Sequence, residues 1–125
     1  MMQEHNDLLL KDLCARLPYG VICKDDYAKV EGKLSQIGIN YDMCLLSDDY
    51  GKTEWAYIPN CKPYLFPLSS MTEEQEEEYN SLNCWELGCF SHTEDALDYL
   101  IANHFDYRGL IPMGLALDAT GLNIY

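Results

Sequence analysis

The sequence predicts a small single α+β domain in which an antiparallel meander of about three or four strands packs against three helices. Three patterns carry this reading. An apolar stripe of helical period lies near the amino end, four short runs rich in strand-forming residues follow it, and two helix-opening boxes stand in the second half. With 125 residues, 48% of them apolar, the chain can bury roughly two-thirds of its unfolded surface in one core. Residues 1–125 are therefore read as one domain.

The first helix is expected from Asn6 to Leu17, with Asn6 as its cap and Leu9, Leu10, Leu13, Cys14 and Leu17 on one stripe. Pro18 lacks the backbone donor that another turn would need, so the helix stops there. Strands are expected at Tyr19–Lys24, Lys29–Ile37, Asn40–Leu46 and Thr53–Ile58, with Asp25, Asp26, Gly38 and the stretch Ser47 to Lys52 as turns. The second strand has the weakest pattern. It contains Gly32, and Val30, Leu34 and Ile37 break the two-residue period, so a short helix is the alternative there.

Pro59, Pro63 and Pro67 hold the next stretch extended, with its aromatic side chains against the core. Thr72 and Gln75 form a capping box that opens a helix to about Leu82. This helix is peripheral, because Glu73, Glu74, Glu76, Glu77 and Glu78 leave only Tyr79 and Leu82 to attach it. Ser91 and Glu94 form a second box, opening a helix to about Phe105 that buries Leu97, Leu100, Ile101 and Phe105. Beyond it, apolar residues from Tyr107 to Ile124, divided by Gly109, Pro112, Gly114 and Gly121, predict an ordered carboxyl-terminal wrap.

Charge is the least ordinary property. The formal charge is −13, and residues 63–125 hold eleven acidic residues against one cation, Arg108, so that half carries −10. Such a field repels a phosphate backbone and attracts a basic protein partner. Direct nucleic-acid binding is not expected, and solubility is the plainer meaning of the same number. The amino end shows no basic-then-apolar leader pattern, and no run approaches the roughly 20 apolar residues of a membrane span. Six cysteines in such a chain are expected as reduced thiols in the cytoplasm.

The stretches KPYLFPLSSMTEEQ (Lys62 to Gln75) and HFDYRGLIPMGLAL (His104 to Leu117), with DLCARLPYGV (Asp12 to Val21), carry a resemblance. The chain is similar to small uncharacterised proteins of Bacteroides-group gut bacteria and of their phages and integrated mobile elements. The resemblance implies a phage or mobile-element setting and supplies no mechanism. Within it, Arg108 stands beside Asp106 and is the only cation after Lys62, so it is expected to satisfy a carboxylate of the acidic half or to hold a ligand anion.

Candidate chemistry is sparse. Cys84, Cys89 and His92, with Cys61 or His104 as a fourth ligand, carry zinc-type donors, but their spacing is not a paired-knuckle pattern and no metal is expected. A thiol nucleophile would require Cys61 or Cys84 beside His92 or His104. No thiol-hydrolase signature surrounds them, and a small cysteine-dependent hydrolase stays an alternative. Asp48 and Asp49 lie in too short a loop for calcium, and neither a phosphate cradle nor a dinucleotide fingerprint occurs. No cofactor is expected. Trp85 and Tyr107 can anchor a protein partner. The functional expectation is a non-enzymatic accessory protein that binds another protein, with Glu73, Glu74, Glu77, Glu78, Tyr64, Phe66, Trp85 and Arg108 as candidate contacts. An acidic antagonist that mimics DNA toward a host protein, its carboxylate rows extended by Glu94, Asp95 and Asp98, is the other alternative.

Overall fold

A computed structural model describes residues 3–27, 30–38, 42–82 and 91–125, with the side chains of 3–5 and 91–94 outside that description. Helix α1 spans Gln3–Arg16, and strands β1 (Ile22–Asp25), β2 (Val30–Gly38), β3 (Met43–Ser47), β4 (Thr53–Tyr57) and β5 (Cys61–Pro67) follow. Helices α2 (Glu73–Leu82) and α3 (Ser91–Ala102) precede two short strands, β6 (Phe105–Asp106) and β7 (Leu117–Asp118). The sheet runs β4-β3-β2-β1-β5-β6, with β7 also paired to β5. The expected α+β class and its four-strand meander are present. The meander is enlarged by β5, antiparallel to β1, and by β6 and β7, parallel to β5.

The irregular period of the second strand has a structural cause. Leu34 pairs with Leu46, but Gln36 pairs with Leu45, so Ser35 is an extra residue and the strand bulges there. The residues form a strand and not the alternative helix. Gly32 meets a second constraint, because a Cβ at that position would lie 2.5 Å from the Ser47 carbonyl oxygen. Only a residue without a side chain lets β2 approach β3 this closely.

The sheet is strongly curled. β3 and β5 are separated by β2 and β1, a gap of roughly 14 Å in a flat sheet, yet the sulfurs of Cys44 and Cys61 stand 3.5 Å apart. The inner face therefore closes on itself. Leu9 and Leu13 of α1 join Val21, Cys23, Leu34, Leu46, Ala56, Ile58 and Leu65 in the core, and Leu110, Leu115 and Ala116 of the carboxyl-terminal wrap complete it.

Three boundaries and the burial of one residue differ from the sequence reading. Helix α1 begins at Gln3, which places Asn6 inside it and not at its cap. The first strand starts only at Ile22, because Leu17–Tyr19 make a turn of 3-10 helix that Gly20 ends at φ +68°. Helix α3 ends at Ala102, and Phe105, buried as expected, belongs to β6. Leu97 is 39% exposed, while burial on α3 concentrates on Ala96, Leu100 and Ile101. The box of Ser91 and Glu94 involves side chains outside the described set. Among the described residues no helix is long and apolar enough to cross a membrane.

Candidate protein-binding face and buried polar centre

The capping box at the start of α2 forms as the sequence requires. The Thr72 amide donates to Gln75 Oε1 at 2.9 Å, and the Gln75 amide donates to Thr72 Oγ1 at 3.2 Å. This fixes the entry of a helix on which Glu73, Glu74, Glu76, Glu77 and Glu78 are all exposed. Helix α2 packs on α3, whose Asp95 and Asp98 are also exposed, so both of these packed helices carry exposed carboxylates. Tyr99 lies at their junction, where burial first and the Glu78 carboxylate second push its phenol above the usual value.

Arg108 does not neutralise those carboxylates. Its Nε donates to Asp12 Oδ1 at 3.2 Å, on α1, instead of to a carboxylate of the acidic half. The expectation fails because the wrap carries Arg108 back against α1, where Asp12 is fully buried and in greater need of a cation. Tyr64 and Phe66, on the face of β5 opposite the core residues Cys61 and Leu65, are covered as well. Tyr64 is buried, and Phe66 is half-buried with ring centroids 6.2 Å from Phe105 and 5.9 Å from Tyr125. Trp85 lies outside the described residues. Of the eight nominated contacts, the four glutamates share one exposed helix, and Tyr64, Phe66 and Arg108 do not join them.

A second centre was not singled out in the sequence. Asp12 and Arg16, one helical turn apart, are both 0% exposed. Arg16 donates from Nε to Asp12 Oδ2 at 2.8 Å and from Nη2 to the Phe105 carbonyl at 2.6 Å. The Tyr107 ring lies 5.6 Å from the Arg16 guanidinium carbon and 4.7 Å from that of Arg108, close enough for cation–π attraction to both. Arg16 Nη1, Tyr107 Oη and His104 Nδ1 are buried without a protein partner. The available signal was the Asp12–Arg16 spacing of four on the same side of the helix as Leu9 and Leu13. This centre joins DLCAR to HFDYR, two of the segments that carry the resemblance, and fastens α1 to the wrap.

His104 adopts φ +65° and stacks on Tyr125 at 3.7 Å. Burial, with the Arg16 charge as a second cause, lowers its pKa to about 4, so the ring is neutral. The Tyr125 hydroxyl donates to the Tyr64 carbonyl and accepts from the Ile22 amide, both at 2.8 Å, which pins the last residue across β1 and β5.

Two of the described thiols, Cys44 and Cys61, are held protonated. Cys23, Cys44 and Cys61 are buried and free, and Cys14 is exposed and free. Donation to Cys61, then burial, holds the Cys44 thiol far above its ordinary pKa. Cys61 is raised chiefly by its hydrogen bond to Cys23. Its sulfur neighbours are thiols and not an imidazole, and His104 Nδ1 has no partner. Among the described side chains no imidazole is hydrogen-bonded to Cys61 to act as its base. Cys84, Cys89 and the His92 side chain lie outside the described residues, among which no group of three or more His, Cys, Asp or Glu is placed to hold a metal ion.

The sequence reading also missed the outer face of β4. Trp55 and Tyr57 are 52% and 47% exposed there. They lie beside Leu45 and Met43 of β3. Comparison with protein-family models, with curated proteins and with solved structures finds no match.

Proposed function

We propose that this domain is a non-enzymatic accessory protein that binds a basic protein partner through the carboxylate face of α2 and α3. One observation carries the reading: the only cation of the acidic half is turned inward onto Asp12, which leaves that face without a neutralising residue of its own half. Unneutralised carboxylates on two packed helices create a local field that speeds encounter with a positive surface. The free thiols at Cys14, Cys23, Cys44 and Cys61 fit a cytoplasmic location. The phage or mobile-element setting comes from the resemblance alone.

DNA mimicry is the second reading, and charge density favours it locally. Five glutamates between Glu73 and Glu78 occupy roughly 7.5 Å of helix axis, a spacing close to the duplex value of about one charge per 1.7 Å. That density spans well under one turn of DNA, so a compact basic patch fits the face better than a long groove-binding channel. Replacing Glu73, Glu74, Glu77 and Glu78 by glutamine tests both readings. Either predicts weaker, less salt-dependent binding, and mimicry alone predicts that duplex DNA competes for the partner. Binding unchanged by the four replacements would remove both.

A further inference from the structure

Among the described residues strand β4 ends the sheet, and the phase of its hydrogen bonds follows from the register. The Asp48 amide donates to the Lys52 carbonyl at 2.9 Å, and the Ile58 amide donates to the Asp42 carbonyl at 2.8 Å. In an antiparallel ladder the bonded residues alternate. The register Leu46 with Glu54 and Cys44 with Ala56 continues the same series. Residues 52, 54, 56 and 58 therefore face β3, and the backbone N–H and C=O groups of Thr53, Trp55 and Tyr57 point away from the sheet. The side chains of the same three residues are exposed on one face of the strand, whereas on the other face Ala56 is buried and Glu54 is exposed.

The edge has no proline, bulge or inward-pointing lysine within Thr53–Tyr57, the devices that usually blunt an open strand. Its surroundings are acidic. Asp42, Asp48, Asp49 and Glu54 are exposed, and among the described residues Lys52, 3.8 Å from Glu54, is the cation paired with them. On the Glu54 side a groove of about 200 Å³ is lined by Val30 and Leu46 together with three carboxylates, Glu31, Asp48 and Glu54, and one cation, Lys52.

We propose that β4 is a docking edge for an extended basic segment of another protein, which adds to the sheet as one more strand. The pleat dictates the chemistry of that segment. Its residues opposite Thr53, Trp55 and Tyr57 bond to the free backbone groups and lay apolar side chains on the aromatic face. The residue opposite Glu54 points to the other face. A lysine or arginine there places its stem along the groove and its charge among Glu54, Asp48 and Glu31. A second copy of this chain is disfavoured as the occupant, because edge-to-edge pairing would bring two chains of −13 together with their acidic rims adjoining. This surface uses none of the α2 carboxylates and stands independently of the function proposed above.

The test uses a capped heptapeptide of alternating lysine and valine, compared with one of alternating glutamate and valine. The readout is amide hydrogen exchange of the intact protein followed residue by residue. The lysine peptide is expected to protect the Thr53, Trp55 and Tyr57 amides, to shift Trp55 fluorescence, and to lose about tenfold or more in affinity when the backbone nitrogens facing β4 are methylated. The glutamate peptide should do none of this. In the variant E73Q/E74Q/E77Q/E78Q the protection should persist, so failure of the α2 reading and failure of this one are separable. Three results would overturn the proposal: no protection of those three amides, affinity indifferent to backbone methylation, or concentration-dependent protection in the protein alone, which would assign the edge to a second copy.

Discussion

Replacing Asp12 by asparagine keeps the side-chain shape and removes one charge from a centre that holds two guanidinium groups. The two losses are unequal. Arg108 is 18% exposed and can turn toward water, whereas Arg16 is 0% exposed and cannot. An uncompensated buried guanidinium costs about 3–5 kcal/mol. Over 125 residues, with unfolding entropy of about 2.1 cal/mol/K per residue, this is a fall of roughly 10–20 °C in Tm. Urea unfolding followed by circular dichroism and by tryptophan fluorescence measures it. The double variant D12L/R16M removes both buried charges; it leaves the Phe105 carbonyl without its donor, a deficit of about 1–3 kcal/mol, and Arg108 loses its carboxylate as it does in D12N and turns to water. It should therefore be more stable than D12N alone. A loss below about 1 kcal/mol for D12N, or a double variant no better than the single one, would show that the pair does not behave as a buried ion pair.

Gly32→Ala should destabilise by about 1–3 kcal/mol, seen as a lower urea midpoint, because its Cβ meets the β3 backbone and not a movable side chain. His104 has a pKa near 4 in the fold against an ordinary 6.5, so below about pH 6.5 the unfolded chain takes up the proton first and stability falls as pH drops toward 4. The variant H104N, which tolerates a left-handed backbone, should lower Tm less over that window than the wild type does. In a background carrying C84S and C89S, a thiol-reactive dye should label Cys14 quickly and leave Cys23, Cys44 and Cys61 protected until the protein unfolds.

Much of the meander was legible in the sequence, because strand-forming runs and turn residues act locally. The capping box at Thr72 was legible for the same reason. The irregularity of β2 was visible as a broken period, but its cause was not, since the extra residue at Ser35 is defined only by its partner strand. Arg108 was recognised as the lone cation of its half, yet its partner Asp12 lies 96 residues away in sequence, a pairing that no local pattern encodes. Trp55 and Tyr57 read as ordinary alternating strand residues. They lie on the outer face of the strand that ends the described sheet, a placement that depends on β5 joining β1 and not β4. The buried Asp12–Arg16 pair had a local spacing that could have been noticed, and it was hidden among the leucines of the same helix.

The most direct measurement of the proposed binding function is quantitative affinity capture from host lysate with three baits at low and moderate salt. The baits are the wild type, the variant E73Q/E74Q/E77Q/E78Q, and an unrelated protein of equal net charge. The account predicts a basic protein retained by the wild type, reduced by the four replacements, released as salt rises, and absent from the charge-matched control. Recovery of the same proteins on all three baits would contradict it.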